Sequence, residues 1–331
     1  WAANPSSTEL PADGMDVITN AIIYKPASVD RVGASRALGT LSDPGEAFDN
    51  AREPLGQVFT PDGGGEPFLF VVNHFKSKGS AGPNPGDADS GDGQGQSNGS
   101  RKLQAAALRD WVASLQTETK VDSVVLGGDF NSYAMEDPLR ILYDAGYTNV
   151  EQHFGNGEYS YSFSGLSGSL DHILVNGPAL KRSTGTDIWN INSGESLALE
   201  YSRYNYHGTN FHAAGPYRSS DHDPVVLGLL DKASPKVKPA VKATVKPRKI
   251  KTRKTRARIV VRVKADGYTP TGKVRVRVAG KVYRARLDDG KAVVKLKKVT
   301  KARRYKAKVR YLGDANAEAA RTTVMVRVKR R

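Results

Sequence analysis

The chain has no cysteine. That excludes a disulfide framework and any thiolate metal site, zinc-cysteine modules included. It also has no long hydrophobic run; nothing approaches the roughly 18 apolar residues of a membrane-spanning helix. No Met opens the sequence: it starts at Trp1 without a basic-then-apolar leader, as a processed terminus or the edge of a fragment would. Acidic residues are scarce in one portion only. Residues 1–231 hold 29 Asp and Glu against 15 Lys and Arg, whereas residues 232–331 hold 5 against 35. The net charge of +16 therefore hides an acidic part followed by a strongly basic one. A reversal of that size at one place predicts two units with different partners.

The boundary falls near Asp231. Pro224–Leu230 reads as a last buried strand of a unit over residues 1–231. Residues 232–247, rich in Lys, Pro and Ala and stiffened by Pro235, Pro239 and Pro247, read as a linker. Residues 248–331 alternate with period two. Ile259, Val261 and Val263 lie between Arg258, Arg262 and Lys264, and the pattern recurs at Val274–Val278, Tyr283–Leu287, Ala292–Leu296, Tyr305–Tyr311 and Val324–Val328. Turn signals at Asp266-Gly267, Ala279-Gly280, Asp288-Asp289-Gly290 and Gly313-Asp314 separate the runs. Short antiparallel strands at this spacing predict an all-β sandwich of immunoglobulin type. Thr271-Gly272-Lys273-Val274 and Tyr311-Leu312-Gly313-Asp314 resemble the immunoglobulin-like domains appended to bacterial surface and secreted proteins.

The acidic part mixes strands and helices. Ala21–Tyr24, Phe68–Val72 and Val124–Leu126 are short apolar runs. Arg101–Leu115 puts Leu103, Ala107, Leu108, Trp111 and Leu115 on one helical face, and Pro138–Ala145 is a second helix. Residues 79–99 form a Gly/Asp/Ser/Pro loop whose Asp87, Asp89 and Asp92 admit a Ca²⁺ reading, although their spacing departs from that of a calcium loop.

Four segments end apolar runs in polar groups: Asn73-His74-Phe75-Lys76-Ser77-Lys78, Gly128-Asp129-Phe130-Asn131-Ser132, Leu170-Asp171-His172-Ile173 and Ser219-Ser220-Asp221-His222-Asp223-Pro224. Together with Glu136-Asp137-Pro138-Leu139 and Glu200–Tyr206, these resemble the endonuclease/exonuclease/phosphatase superfamily over roughly residues 15–230, and within it large extracellular bacterial nucleases. The resemblance implies an α+β fold: part of a four-layer α/β/β/α sandwich like that of deoxyribonuclease I, ahead of the all-β immunoglobulin-like sandwich.

Hydrolysis of a phosphodiester needs a deprotonated water, neutralised phosphorane charge and a stabilised leaving group. The resemblance assigns His222 as general base and Asp171 as its orienter. Asp129 and Asn131, two apart on an extended segment, would position the water and bond a phosphate oxygen, and His74 would donate to the phosphate. Asp221 would ligate Mg²⁺ or Mn²⁺. Lys76, Lys78, Arg101 and Arg218 are candidate phosphate contacts. The family's principal metal ligand, a Glu at a strand end, has no counterpart before His74: residues 1–14, with Asn4 and Glu9, read as a loop without a strand. The early part of the catalytic domain is therefore expected to be missing, and this chain alone to be inactive or nearly so.

The expected function is that of a secreted or cell-surface-associated nuclease on extracellular DNA or RNA, whose basic tail holds it on DNA or an acidic cell-wall polymer. Alternatives are a superfamily phosphatase or sphingomyelinase, and a non-catalytic polyanion-binding surface protein.

Overall fold

The computed structural model describes residues 1–10, 18–155, 157–163, 165–200, 209, 211–232, 236–247, 249–265, 269–314 and 316–330. Expectations placed on residues 11–14, Tyr201–Tyr206, Pro235 and the Asp266-Gly267 turn lie outside them. The chain divides into two compact units between residues 233 and 234.

The first unit runs β1 (Ala2–Ala3), β2 (Ile23–Tyr24), β3 (Val29–Ala37), β4 (Arg52–Pro61), β5 (Phe68–His74), α1 (Asn98–Thr119), β6 (Ser123–Asp129), α2 (Asp137–Asp144), β7 (Thr148–Asn149) and α3 (Val150–Phe154). It continues with β8 (Tyr161–Phe163), β9 (Leu166–Gly168), β10 (Asp171–Val175), α4 (Gly177–Leu180), β11 (Ser183–Ile188) and β12 (Val225–Leu229). It is a mixed α/β unit built on one six-stranded sheet of order β3-β4-β5-β6-β10-β7. Every pairing in that sheet is antiparallel except β5 with β6. Parallel neighbours cannot be joined by a tight turn, and α1 lies in the crossover that joins these two.

Period-two alternation divides the sheet's faces. Leu69 and Val71 of β5 and Val124 and Leu126 of β6 pack under Leu108, Val112 and Leu115 of α1 and Leu139 and Leu142 of α2, all buried. On the other face Phe68, Phe70 and Ile173 are partly buried beside Val125, Val175, Leu227 and Leu229. Strand β12 pairs with β11 in a two-stranded sheet. It is not the fully buried strand expected at Pro224–Leu230, since Val226 is 47% exposed.

Helix α1 corrects the expected face. Leu103 is 47% exposed, and the buried stripe is Ser100, Arg101, Gln104, Ala105, Leu108, Val112 and Leu115. Its first members are polar, so a stripe drawn through apolar residues was rotated away from the true one. The first residues also differ from expectation: Ala2–Ala3 pairs with Ile23–Tyr24. Asn4 is buried and donates to Ser35 Oγ at 2.8 Å, and Glu9 braces β3 through Arg36 and the Ala37 amide.

Residues 79–99 are held by Asp87. Its carboxylate is buried and accepts from the amides of Asn84 (2.9 Å) and Ser100 (2.6 Å) and from Ser100 Oγ (2.7 Å), so it caps the first turn of α1 from a distance. Asp89 and Asp92 accept local amides, from Gly91 and Gln94. Among the described residues the three do not converge on a common point.

The second unit is all β: β13 (Ala240–Lys246), β14 (Ile250–Lys251), β15 (Arg258–Lys264), β16 (Lys273–Val278), β17 (Lys281–Arg286), β18 (Lys291–Lys295), β19 (Arg304–Tyr311) and β20 (Ala320–Lys329). They form a three-stranded sheet, β13-β15-β18, and a five-stranded sheet, β14-β20-β19-β16-β17. One core of Val, Ile, Ala, Leu and Tyr side chains lies between them. The stretch read as a linker, 232–247, contains β13, which pairs with β15 along all seven of its residues. Val241, Ala243 and Val245 alternate with polar neighbours, while Pro239 and Pro247 flank the strand and leave its ladder intact. Ala279-Gly280 has positive φ at both positions and joins the paired strands β16 and β17, as a two-residue hairpin turn that matches strand twist requires; Asp289-Gly290, also at positive φ, lies in the connection from β17 to β18, which belong to different sheets.

Burial raises the Asp87 pKa, but its hydrogen bonds from Ser100 and Asn84 outweigh this and hold it below the usual carboxylate value. A depressed folded pKa stabilises above the unfolded value, near 3.9, and the gain disappears as pH falls through the folded one. Asp87→Asn is therefore expected to cost about 1–3 kcal/mol at pH 7. The gap to wild type should narrow below about pH 4 in urea unfolding at several pH values; a gap independent of pH contradicts this role.

Candidate active site

Register puts the site together. Arg52 of β4 lies opposite His74 of β5, His74 opposite Asp129 of β6, and Asp129 opposite Asp171 of β10. Four neighbouring strands thus offer one residue each at the same level, about 4.8 Å apart. His74 Nε2 is 2.7 Å from Arg52 Nη1 and 3.5 Å from Asp129 Oδ2. Asp171 Oδ2 accepts from Ser160 Oγ at 2.7 Å and from His222 Nδ1 at 2.6 Å. The His222 ring is held from the other side by Tyr161, whose ring centroid is 4.6 Å away and whose backbone bridges to residue 222.

Gly128 closes the strands just before this rank. It lies opposite Asn73, with φ +136°, and a Cβ there would sit 2.0 Å from the Asn73 carbonyl oxygen. Beyond Asp129 the chain turns sharply: Asn131 has φ +46°, so the segment is not the extended one expected from the two-residue spacing. Asn131 folds back on its neighbour. Its amide donates to Asp129 Oδ1 at 2.7 Å, and its Nδ2 donates to Asp129 Oδ2 at 3.1 Å and to the Phe75 carbonyl at 2.9 Å. Asn131 thereby orients Asp129.

Burial, with Asp171 close by, pushes the Asp129 carboxyl well above the usual carboxylate range. Burial alone would lower the His222 pKa. The hydrogen bond and charge of Asp171, with Asp129 and Asp221 nearby, outweigh it and raise His222 to about 9. His172, next in sequence to Asp171, faces the other way. It is buried, accepts from Asn149 Nδ2 at 3.0 Å and donates to the Ser132 carbonyl at 2.8 Å; burial lowers its pKa.

Three of the four basic residues read as phosphate contacts serve the structure instead. Arg101 is fully buried and donates to the carbonyls of Gln94, Gln96 and Lys76. Lys78 is half-buried and donates to both Glu136 oxygens at 2.6 and 2.7 Å and to the Gln94 carbonyl. Arg218 is buried, donating to the carbonyls of Asn192 and Ser193 and to Glu200. Lys78 and Arg218 satisfy acceptors 16 to 58 positions away, and Arg101 ties together carbonyls 5, 7 and 25 positions before it. Lys76 alone keeps its ammonium out of any hydrogen bond or ion pair among the described residues. Conversely, Arg52, Ser160 and Tyr161 belong to the site and were not singled out from the sequence. Arg52 ends no apolar run, and only the strand register reveals it.

The sequence model of the Endonuclease/Exonuclease/phosphatase family matches residues 39–222, a span from before β4 to His222. The chain belongs to the endonuclease/exonuclease/phosphatase family. Family members hydrolyse phosphate mono- or diesters and generally use divalent metals. Among solved structures, the chain is similar to an endonuclease/exonuclease/phosphatase family protein from Bacteroides thetaiotaomicron, at 16% identity over 62% of this chain and 66% of that one, with a TM-score of 0.40. It is also similar to a 3′-5′ exonuclease from Neisseria meningitidis, at 16% identity over 61% and 79%, with a TM-score of 0.36. The human Nocturnin catalytic domain matches at 14% identity over 49% and 51%, with a TM-score of 0.33. The chain thus spans just under two thirds of the first structure and about half of the last. No curated protein matches it significantly.

For this family member, Asp129, Asp171 and His222 form the one group of metal-capable side chains among the described residues, with ligand atoms within 4.8 Å of one another. Asp221, the ligand expected from sequence, is exposed and outside this group, although its charge reaches both Asp129 and His222. The donor chemistry fits a hard divalent cation: the carboxylates have lone pairs beyond those already engaged. His222 Nδ1 is bonded to Asp171, so His222 could reach an ion only through Nε2; Asp129 and Asp171 are the carboxylates that would hold it.

Gly128→Ala is expected to force β5 and β6 apart at the rank. A left-handed-side backbone and a steric clash together should cost about 2–4 kcal/mol, measurable by denaturant unfolding. A variant as stable as wild type would show that the strands tolerate the methyl group.

Proposed function

We propose that the protein is a secreted, divalent-metal-dependent phosphodiesterase acting on nucleic acid, whose basic unit retains it on anionic polymers. The observation that carries this reading is the rank Arg52, His74, Asp129 and Asp171, with His222 bonded to Asp171 beside it. Arg52 and His74 supply donors to a phosphate oxygen, and Arg52 matches phosphate geometry through its planar fork. Asp129, oriented by Asn131, sets the position of the attacking water. Asp171 fixes the ring of His222 through Nδ1, leaving Nε2 to take the water's proton as the new P–O bond forms; the ester P–O bond breaks and the departing alkoxide takes a proton from solvent. Asp129 and Asp171 are the residues that would hold a divalent cation, which would neutralise phosphate charge and weaken the carboxylate field that keeps His222 protonated.

The substrate class follows from charge. A short phosphate ester has no use for 35 Lys and Arg within 100 residues, whereas a long polyanion does. In this reading β11 and β12 belong to the second sheet of a four-layer α/β/β/α sandwich, and the second unit is an immunoglobulin-like sandwich. Residues 1–233 and 234–331 then act as catalytic and retaining domains.

The experiment is to incubate the longest product of the gene with plasmid DNA, structured RNA, sphingomyelin and inositol polyphosphate, each with Mg²⁺ or Mn²⁺ and again with excess chelator. Nucleic acid is the expected substrate and chelation is expected to stop cleavage. His222→Ala should slow it by about 10²–10⁴-fold, the usual worth of a general base. Retention of near-wild-type rate by His222→Ala rejects the mechanism. Preference for a small ester rejects the substrate class.

A further inference from the structure

The outer face of the five-stranded sheet has an order that net charge alone does not require. Arg284 of β17 lies opposite Arg275 of β16, Arg275 opposite Arg310 of β19, and Arg310 opposite Arg321 of β20. Four arginines therefore stand side by side across four strands, about 4.8 Å apart. The next rank on the same face, one pleat along at roughly 6.8 Å, contains Arg277 and Lys308 between Val282 and Thr323. Directly opposed like charges destabilise a sheet, and nothing on these strands offsets them. The acids of this portion are Asp266, Asp288, Asp289, Asp314 and Glu318, none within a named strand. None of the four arginines forms an ion pair among the described residues, and Arg310 Nε is buried without a hydrogen-bond partner. A shallow recess of about 710 Å³ opens over Arg275, Arg310 and Arg321.

We propose that this arginine rank is a docking surface for the phosphate backbone of double-stranded DNA, read without regard to base sequence. The choice of DNA rests on the nucleic-acid reading above. Three observations support it. Guanidinium forks pair bidentately with phosphates, and arginine fills the whole rank. Regular spacing in two directions suits a polymer of evenly placed phosphates better than an isolated anion. No aromatic side chain lies in these two ranks, so the surface has nothing on which to stack the bases of a single strand; contacts confined to phosphates position a duplex without specifying its sequence.

The three-stranded sheet supplies an internal control. Lys242, Arg262 and Lys291 line up across β13, β15 and β18, a rank of equal charge per residue but mostly lysine. The test measures binding of the full chain to a fluorescent 30-base-pair duplex of mixed sequence, in chelator so that nothing is cut, between 50 and 200 mM salt. R275Q/R310Q/R321Q is compared with K242Q/R262Q/K291Q, each lacking three charges. The first is expected to weaken binding at least about tenfold and to flatten the log–log salt slope by up to roughly 2.7, at 0.9 per lost phosphate contact. The second should change affinity less than about threefold. Equal losses from the two variants, or no loss from the first, overturn the proposal, as does displacement of the duplex by poly(glycerol phosphate) at equal charge concentration. R275K/R310K/R321K, which keeps charge but loses the forked contact, should bind more weakly than wild type and more tightly than the glutamine triple; binding as tight as wild type, with circular dichroism unchanged, shows that the guanidinium forks contribute nothing and overturns the proposal. Cleavage is scored separately: a wild-type chain that binds duplex through this rank and cuts no nucleic acid supports the docking surface and removes only the proposed activity.

Discussion

The hydrogen-bond ladder through β4, β5, β6 and β10 is the constraint on which the acidic unit depends. Side chains on a strand alternate between faces, so a slip of one residue in any of these pairings turns its contribution away from the others. The ladder brings Arg52, His74, Asp129 and Asp171 level with one another although they span 119 positions of the sequence. The helices serve the same end. Leu108, Val112 and Leu115 press on the alternate residues of β5 and β6, which holds the one parallel pairing of the sheet in place. Gly128 lets those strands approach, and Asn131 turns the chain back to hold Asp129.

Much of this is legible in the sequence. Residues that end apolar runs in polar groups, namely His74, Asp129, Asp171 and His222, come together, because a strand end is where a rigid scaffold meets solvent. The helix read at 101–115 lies within α1, although on a different buried face, and the strands read after residue 248 follow their period-two alternation. The failures share one cause: a cation reads as exposed until its acceptors are known. Arg101, Lys78 and Arg218 lie among carbonyls and carboxylates contributed by Gln94, Glu136, Asn192 and Glu200, partners that proximity in sequence does not announce. Arg52 fails in the opposite sense, since its neighbour His74 is 22 residues away and only pairing brings it near. Leu103 shows the remaining limit: it is apolar yet lies off a face whose buried members begin with Ser100, Arg101 and Gln104.

The basic unit shows how little hydrophobic variety a two-sheet core needs. Valines on alternate positions of β15, β16 and β20 meet across the interior, and the polar positions between them are free to be almost uniformly cationic. The stretch before residue 248 reads as a linker because of its prolines, yet they bracket a strand whose inward residues continue the same alternation. Core and surface are specified independently here: the former by branched aliphatic side chains, the latter by charge.

Strand β17 lies at one edge of the five-stranded sheet. Such an edge leaves a row of backbone donors and acceptors open to another strand, the usual route to aggregation. Here Lys281, Arg284 and Arg286 are exposed along it, so a second copy that approached edge to edge would bring cation against cation within the Debye length of about 8–10 Å. The alternation that builds the sheet thus also keeps one molecule apart from the next, and concentrated salt, by screening these charges, weakens that safeguard.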